Sequence, residues 1–83
     1  MHYVVICDWS VKYTLVQSGV NISGIAHTLE DAKEILALAS VDEEKYAKDN
    51  NWTIYKNSDV EFDAGEKDNY EEEHSHFYIE EVE

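Results

Sequence analysis

Negative charge is crowded into one half of this chain, and that division restricts its possible folds more than any other feature. Of its nineteen Asp and Glu residues, fifteen follow Ser40, against Lys45, Lys48, Lys56 and Lys67, a net charge of −11 over residues 41–83. The first forty residues carry only Asp8, Glu30, Asp31 and Glu34 against Lys12 and Lys33, a net of −2. Carboxylates cannot enter a core unpaired. The N-terminal half must therefore supply much of the interior, and the acidic half must alternate, with one side chain in and the next out. The apolar fraction of 43%, with two Trp, six Tyr and two Phe, is too high for a disordered acidic tail. At 83 residues the chain makes one domain, 1–83.

Several functions fall away on the same arithmetic. Six Lys and no Arg leave no basic footprint for a phosphate backbone, so direct nucleic-acid binding is not expected. An anionic membrane surface would repel the chain, and no apolar run approaches the ~20 residues of a membrane-crossing helix. Met1–Asp8 lacks the charged start and long apolar run of a signal peptide. Cys7 stands alone, so no intrachain disulfide can form, and a reducing cytoplasm is the expected location.

Met1–Cys7, rich in β-branched residues, reads as a strand, and the continuous Val4-Val5-Ile6 suggests a central one. Tyr13–Gln17 reads as a second strand turning at Ser18-Gly19, and Val20–Ala26 as its extension, with Gly24 marking a bulge or close approach. Thr28 followed by Leu29-Glu30-Asp31 is a helix start. Leu29, Ala32, Ile35, Leu36 and Ala39 form an apolar stripe over about three turns. Ser40-Val41-Asp42-Glu43 repeats the start signal, so two short helices or a single one end at Asp49-Asn50-Asn51. Beyond Trp52 the period changes to two: Trp52–Lys56, Val60–Ala64 and His76–Val82 are strand-like, with Gly65–Tyr70 as a loop. The expected fold is α+β, ββ(β)αββ: a small antiparallel or mixed sheet of four to five strands, covered on one face by helix.

Asp59, Glu61 and Asp63 alternate, and on one strand face successive carboxylates would stand ~6.7 Å apart, a ruled array of charge on the scale of a phosphate backbone. With Glu66, Asp68, Tyr70, Glu71, Glu72 and Glu73 they form the expected partner-binding segment, and Trp9, placed in the turn after the first strand, is the expected exposed aromatic anchor. A net charge of −13 exceeds the magnitude of about 2–8 that keeps a small domain soluble. The same segment resembles a calcium loop, but counting from Asp59 puts Ala64 and Tyr70 where an EF-hand has Gly and Glu. His74 and His76, two apart beside Glu71–Glu73, point the same way on a strand and suggest an alternative, a divalent-cation-binding module over 59–76. No serine has a histidine implied by spacing, and Cys7 sits in a buried-looking strand, so no enzyme activity, catalytic residue or cofactor is expected.

The run Trp52-Thr-Ile-Tyr-Lys, Phe62-Asp-Ala-Gly65, Tyr70 and His76-Phe-Tyr-Ile-Glu-Glu-Val82, with the helix opening His27–Lys33, resembles the small acidic orphan proteins encoded by phages and mobile elements. That resemblance implies a setting and transfers no site residues: such accessory proteins often bind and inhibit a host protein, and some anti-CRISPR and anti-restriction proteins do so as DNA mimics. The expected function is therefore a non-enzymatic protein-binding module that presents an acidic, nucleic-acid-mimicking surface to the basic groove of a host protein. A homodimer of structural role is the remaining alternative.

Overall fold

A computed structural model describes all 83 residues, Met1–Glu83. Five strands and one helix follow in the order β1 (His2–Lys12), β2 (Val16–Ala26), α1 (Leu29–Asp49), β3 (Thr53–Asn57), β4 (Glu61–Gly65) and β5 (His74–Val82). The strands form one antiparallel sheet of order β2-β1-β5-β4-β3. The expected α+β class is met; of one helix or two short ones, a single helix covers the sheet, and three strands follow it. No helix is long and apolar enough to cross a membrane.

The largest departures from the sequence reading are in the first hairpin, while β4 takes in Gly65 and β5 starts at His74, two residues earlier than expected. β1 runs through Asp8-Trp9-Ser10 to Lys12, so Trp9 lies in a strand and not in a turn. The hairpin turns at Tyr13-Thr14-Leu15, and Ser18-Gly19 lies inside a single eleven-residue β2. Gly19 looks like a turn signal, but it is needed for packing. A Cβ there would stand 3.0 Å from Cζ2 of Trp9, its cross-strand partner. The anomaly expected at Gly24 is present: Val5 pairs with Gly24 and Ile6 with Ile22, so Ser23 is the extra residue of a bulge. A Cβ on Gly24 would lie 2.9 Å from Cγ2 of Ile35, so a larger residue here would push against the helix.

The helix is continuous across Ser40–Glu43, whose start signal goes unused. Thr28 caps it, its Oγ1 accepting from the Asp31 N–H at 3.2 Å, and Glu30 and Asp31 face the positive end of the dipole. Ala32, Leu36, Ser40 and Ala47 are its buried residues, with Ile35 and Ala39 packed beside them. Small side chains on this stripe let the helix lie close over the middle of the sheet, and Val5, Phe62, Phe77, Trp52 and Leu36 fill the core between them.

The C-terminus of α1 is closed by a Schellman arrangement. The Trp52 N–H donates to the Ala47 carbonyl at 2.8 Å and the Asn51 N–H to that of Lys48 at 3.4 Å. Asn51 occupies the left-handed region, φ 58°, and is the single non-glycine residue with positive φ. Trp52 is thereby swung under the helix, where it is buried edge-on against Tyr46 at 5.1 Å. Replacing Asn51 with Ala should cost about 1 kcal/mol, because Ala keeps the β-carbon that is strained here but loses the short polar side chain that makes Asn tolerant of this region, whereas Asn51→Gly, which removes the β-carbon, should change stability by no more than a few tenths. Urea unfolding of the two variants checks the contrast.

Candidate interaction surface

The helix covers only one face of the sheet. Cross-strand pairing places Val4, Ile6, Asp8 and Ser10 of β1, Ile25, Ile22, Val20 and Ser18 of β2, Tyr78, His76 and His74 of β5, and Glu61 and Asp63 of β4 on the other. This open face divides into a polar half over β5 and β4 and an apolar half over β1 and β2.

In the polar half, side chains are tied in pairs. His76 Nε2 donates to Glu61 Oε2 at 2.5 Å, and Lys56 reaches Glu61 Oε1 at 3.1 Å. The His76 hydrogen bond, aided by the Lys56 ammonium, holds the Glu61 carboxyl below its ordinary value against a smaller opposing effect of burial. The Tyr70 hydroxyl donates to Asp63 Oδ1 at 2.5 Å, and its ring stacks on His74 at 4.7 Å and meets Tyr55 edge-on at 5.7 Å. Burial, and then the Asp63 carboxylate, push the Tyr70 phenol well above its usual range, so it remains a proton donor. His74 is held by the Tyr70 carbonyl at 2.7 Å and by Asp8 at 3.3 Å.

The 66–73 loop is fastened to this face. Glu66 N–H donates to the Glu73 carbonyl at 2.8 Å, Ser10 Oγ donates to the Glu72 carbonyl at 2.8 Å, and Lys12 pairs with Glu72 at 2.9 Å. Hydrogen bonding from Asn69 and the Lys12 ammonium hold the Glu72 carboxyl below its ordinary value. Gly65 makes the loop's seat possible: a Cβ there would fall 2.5 Å from Cδ2 of Tyr70 and 2.8 Å from the Glu73 carbonyl oxygen.

These contacts revise the expected array of charge. Asp59 lies outside β4, in the β3–β4 turn, paired with Lys33 at 3.3 Å. Glu61 and Asp63 do share a strand face, but both carboxylates are engaged within the molecule. Glu66 is half-buried and accepts from the Asp68 N–H at 2.8 Å; Asp68 and Glu71 are exposed, and Glu72 and Glu73 half-buried. Tyr70, placed by the sequence in the partner-binding segment, is turned inward onto Asp63 and His74. Trp9, expected to be an exposed anchor, is half-buried on the helix side of β1 and packed against the core. His74 and His76 share a face but bind different carboxylates, and no three His, Cys, Asp or Glu side chains converge on a common point.

The apolar half was not anticipated. Val20, Ile22 and Ile25 are 66%, 64% and 62% exposed, although all three lie in one strand, Ile25 opposite Val4 and Ile22 opposite Ile6 of the neighbouring β1. In a regular strand, residues three apart face opposite ways. The extra residue at Ser23 brings Ile22 and Ile25 to the same side, so the bulge assembles the patch. A signal was present in the sequence: Tyr13–Leu29 contains no Asp, Glu, Lys or Arg in a chain that is 30% charged, and Val16, Ser18, Val20 and Ile22 alternate within it.

No protein-family model, no curated protein and no solved structure matches this chain.

The depressed Glu61 and Glu72 carboxyls set an acid limb of stability. A carboxyl whose folded pKa lies below its unfolded one contributes fully above the unfolded value and loses that contribution as pH falls through the folded value. Unfolding free energy should therefore decline below about pH 4.5, the ordinary Glu value, and Glu61→Gln should make that decline shallower. Urea titrations across the acid range measure the slope. Gly65→Ala should destabilise by about 1–3 kcal/mol through overpacking against Tyr70 and the Glu73 carbonyl, and should loosen Tyr70 as seen by fluorescence or NMR.

Proposed function

We propose that this chain is a non-enzymatic protein-binding module that docks through the open face of its sheet. The observation that carries the reading is the contiguous exposed apolar patch of Val20, Ile22 and Ile25, continued by Val4 and Ile6, on a protein of net charge −13. Isolated exposed apolar side chains are ordinary, but a contiguous patch with charged groups around it has the anatomy of an interface. Asp8 and Glu80 flank it on the open face, and the 66–73 loop lies beyond. The complementary partner surface is an apolar centre within a basic rim. Long-range attraction between the acidic field and that rim accelerates encounter, and burial of the isoleucines then holds the complex.

In its strongest form the reading is inhibition. The partner is a host protein whose Lys and Arg normally meet phosphates, and Asp68 and Glu71, with Glu66 and Glu73 beside them, stand in for those phosphates. This form joins the acidic segment to the setting of small phage and mobile-element accessory proteins. A reducing cytoplasm suits its buried thiol: desolvation, with Glu43 and Asp8 nearby, pushes Cys7 up to about 12, leaving it protonated and unreactive.

A second reading rests on the edge strand. β2 is eleven residues long, uncharged and paired on one side only, and two copies of a −13 chain repel each other least along it. Antiparallel pairing of two β2 edges would make a homodimer.

Ile22→Lys separates these readings from a patch without function. The side chain is exposed, so folding stability should change by no more than about 0.5 kcal/mol. Capture of a partner from bacterial lysate should fall at least tenfold at any salt concentration, as expected for a central contact. The paired change Glu66→Gln with Asp68→Asn should instead slow association and flatten its salt dependence, with little effect on dissociation. Competition of capture by DNA or RNA supports the mimic form. A wild-type sedimentation coefficient that rises with concentration, and is monomeric in Ile22→Lys, supports the homodimer. Unchanged capture and unchanged sedimentation in Ile22→Lys would overturn docking through this face.

A further inference from the structure

On the helix side, opposite the docking face, the second half of α1 and the first two strands part to leave a cleft of about 410 Å³. Its origin is legible in β2, which presents Gly19, Asn21 and Ser23 toward the helix where large apolar residues would close the gap. The volume lies in the range of sites that hold small ligands.

The lining has an unusual balance. Trp9, Tyr13, Tyr46 and Phe77 contribute four aromatic rings, and Glu43 of the helix contributes a carboxylate. Glu43 Oε2 accepts from Ser75 Oγ at 3.0 Å and has no ion-pair partner; the ammonium groups of Lys12, Lys33, Lys48 and Lys56 are all paired with other acids. No Lys or His lines the cleft. An anionic ligand would be repelled by Glu43 and by the net charge of the protein. A neutral apolar ligand would cover the carboxylate without compensating it. A cation bearing alkyl groups satisfies both parts of the wall: ring faces attract positive charge, the carboxylate neutralises it, and the alkyl groups fill the apolar space. The Cys7 thiol at the base is protonated, so it favours no covalent capture.

We propose that this cleft binds an alkylated ammonium group, either a small quaternary amine or the side chain of a methylated lysine. The site lies on the face opposite the apolar patch and does not depend on docking there, so the failure of either idea leaves the other standing.

The test is an NMR titration of the labelled protein with tetramethylammonium chloride, in parallel with sodium chloride and with tert-butanol, the neutral shape analogue. Two otherwise identical peptides, one with lysine and one with trimethyl-lysine, form the remaining arms. Saturable shifts of the Trp9 indole and Tyr46 ring signals are expected with tetramethylammonium but not with sodium chloride or tert-butanol. Glu43→Gln keeps an acceptor for Ser75, so melting should be unchanged while affinity falls by about tenfold. Tyr46→Leu, at a partly exposed helix position, should also weaken binding. Saturation by the trimethyl-lysine peptide, and not by its lysine counterpart, assigns the cleft to modified protein tails; saturation by the small cation alone assigns it to a metabolite-sized amine. Linear shifts that track ionic strength, an equal response to tert-butanol, or undiminished affinity in Glu43→Gln would overturn the proposal.

Discussion

The β1–β5 ladder is the interaction on which the rest of the structure depends. It runs from His2 opposite Val82 to Ser10 opposite His74 and joins the first strand of the chain to the last. On one side hangs the uncharged hairpin partner β2, and on the other the β4–β3 pair of the acidic half. Neither part can bury its apolar face alone, since a two-stranded ribbon is marginal in water. Bringing the chain ends together carries a loop-closure cost that is met only when Val5, Phe77, Phe62 and Leu36 are buried together under the helix.

That same ladder turns a chain divided by charge into a molecule divided by face. It aligns Asp8 and Ser10 of the weakly charged half with His76 and His74 of the acidic half, and it gives the 66–73 loop a seat on Ser10 and Lys12. Acids that look surplus in the sequence become structural: Glu61, Asp63 and Glu72 hold a histidine, a tyrosine and a lysine. The remaining charge lies at exposed positions such as Asp68, Glu71 and Glu80. The open face then offers two chemistries side by side, apolar at β2 and anionic beyond it. The helix side offers a third, an aromatic cleft with a single carboxylate.

How far these features were legible depends on how local their causes are. The cap at Thr28, the left-handed Asn51 and the alternation of Phe62 and Ala64 each depend on a few neighbouring residues, and each is where the sequence places it. The β1–β2 hairpin departs from the sequence reading because Ser18-Gly19 looks like a turn signal, whereas Gly19 serves Trp9 across the strand; Gly24, by contrast, is the bulge and close approach that its position suggests, lying against Ile35 of the helix. Trp9 was misplaced with that turn: its burial follows from an extension of β1 that Asp8 and Ser10 conceal and that pairing with β5 imposes. The acidic array failed for a related reason, since spacing along a strand says nothing about which partner a carboxylate will find across it.

By itself, the sequence determined the class of fold, the ends of the helix, the central place of the first strand and the acidic character of the surface. Those follow from periodicity, capping and net charge, which act over a few residues or over the whole molecule irrespective of topology. Only the tertiary structure decided which acids remain free, that Tyr70 points inward, that a bulge gathers Ile22 and Ile25 onto one face, and that a cleft opens beneath Glu43 and Tyr46. These depend on cross-strand neighbours far apart in the chain, and such neighbours exist only once the two halves have paired.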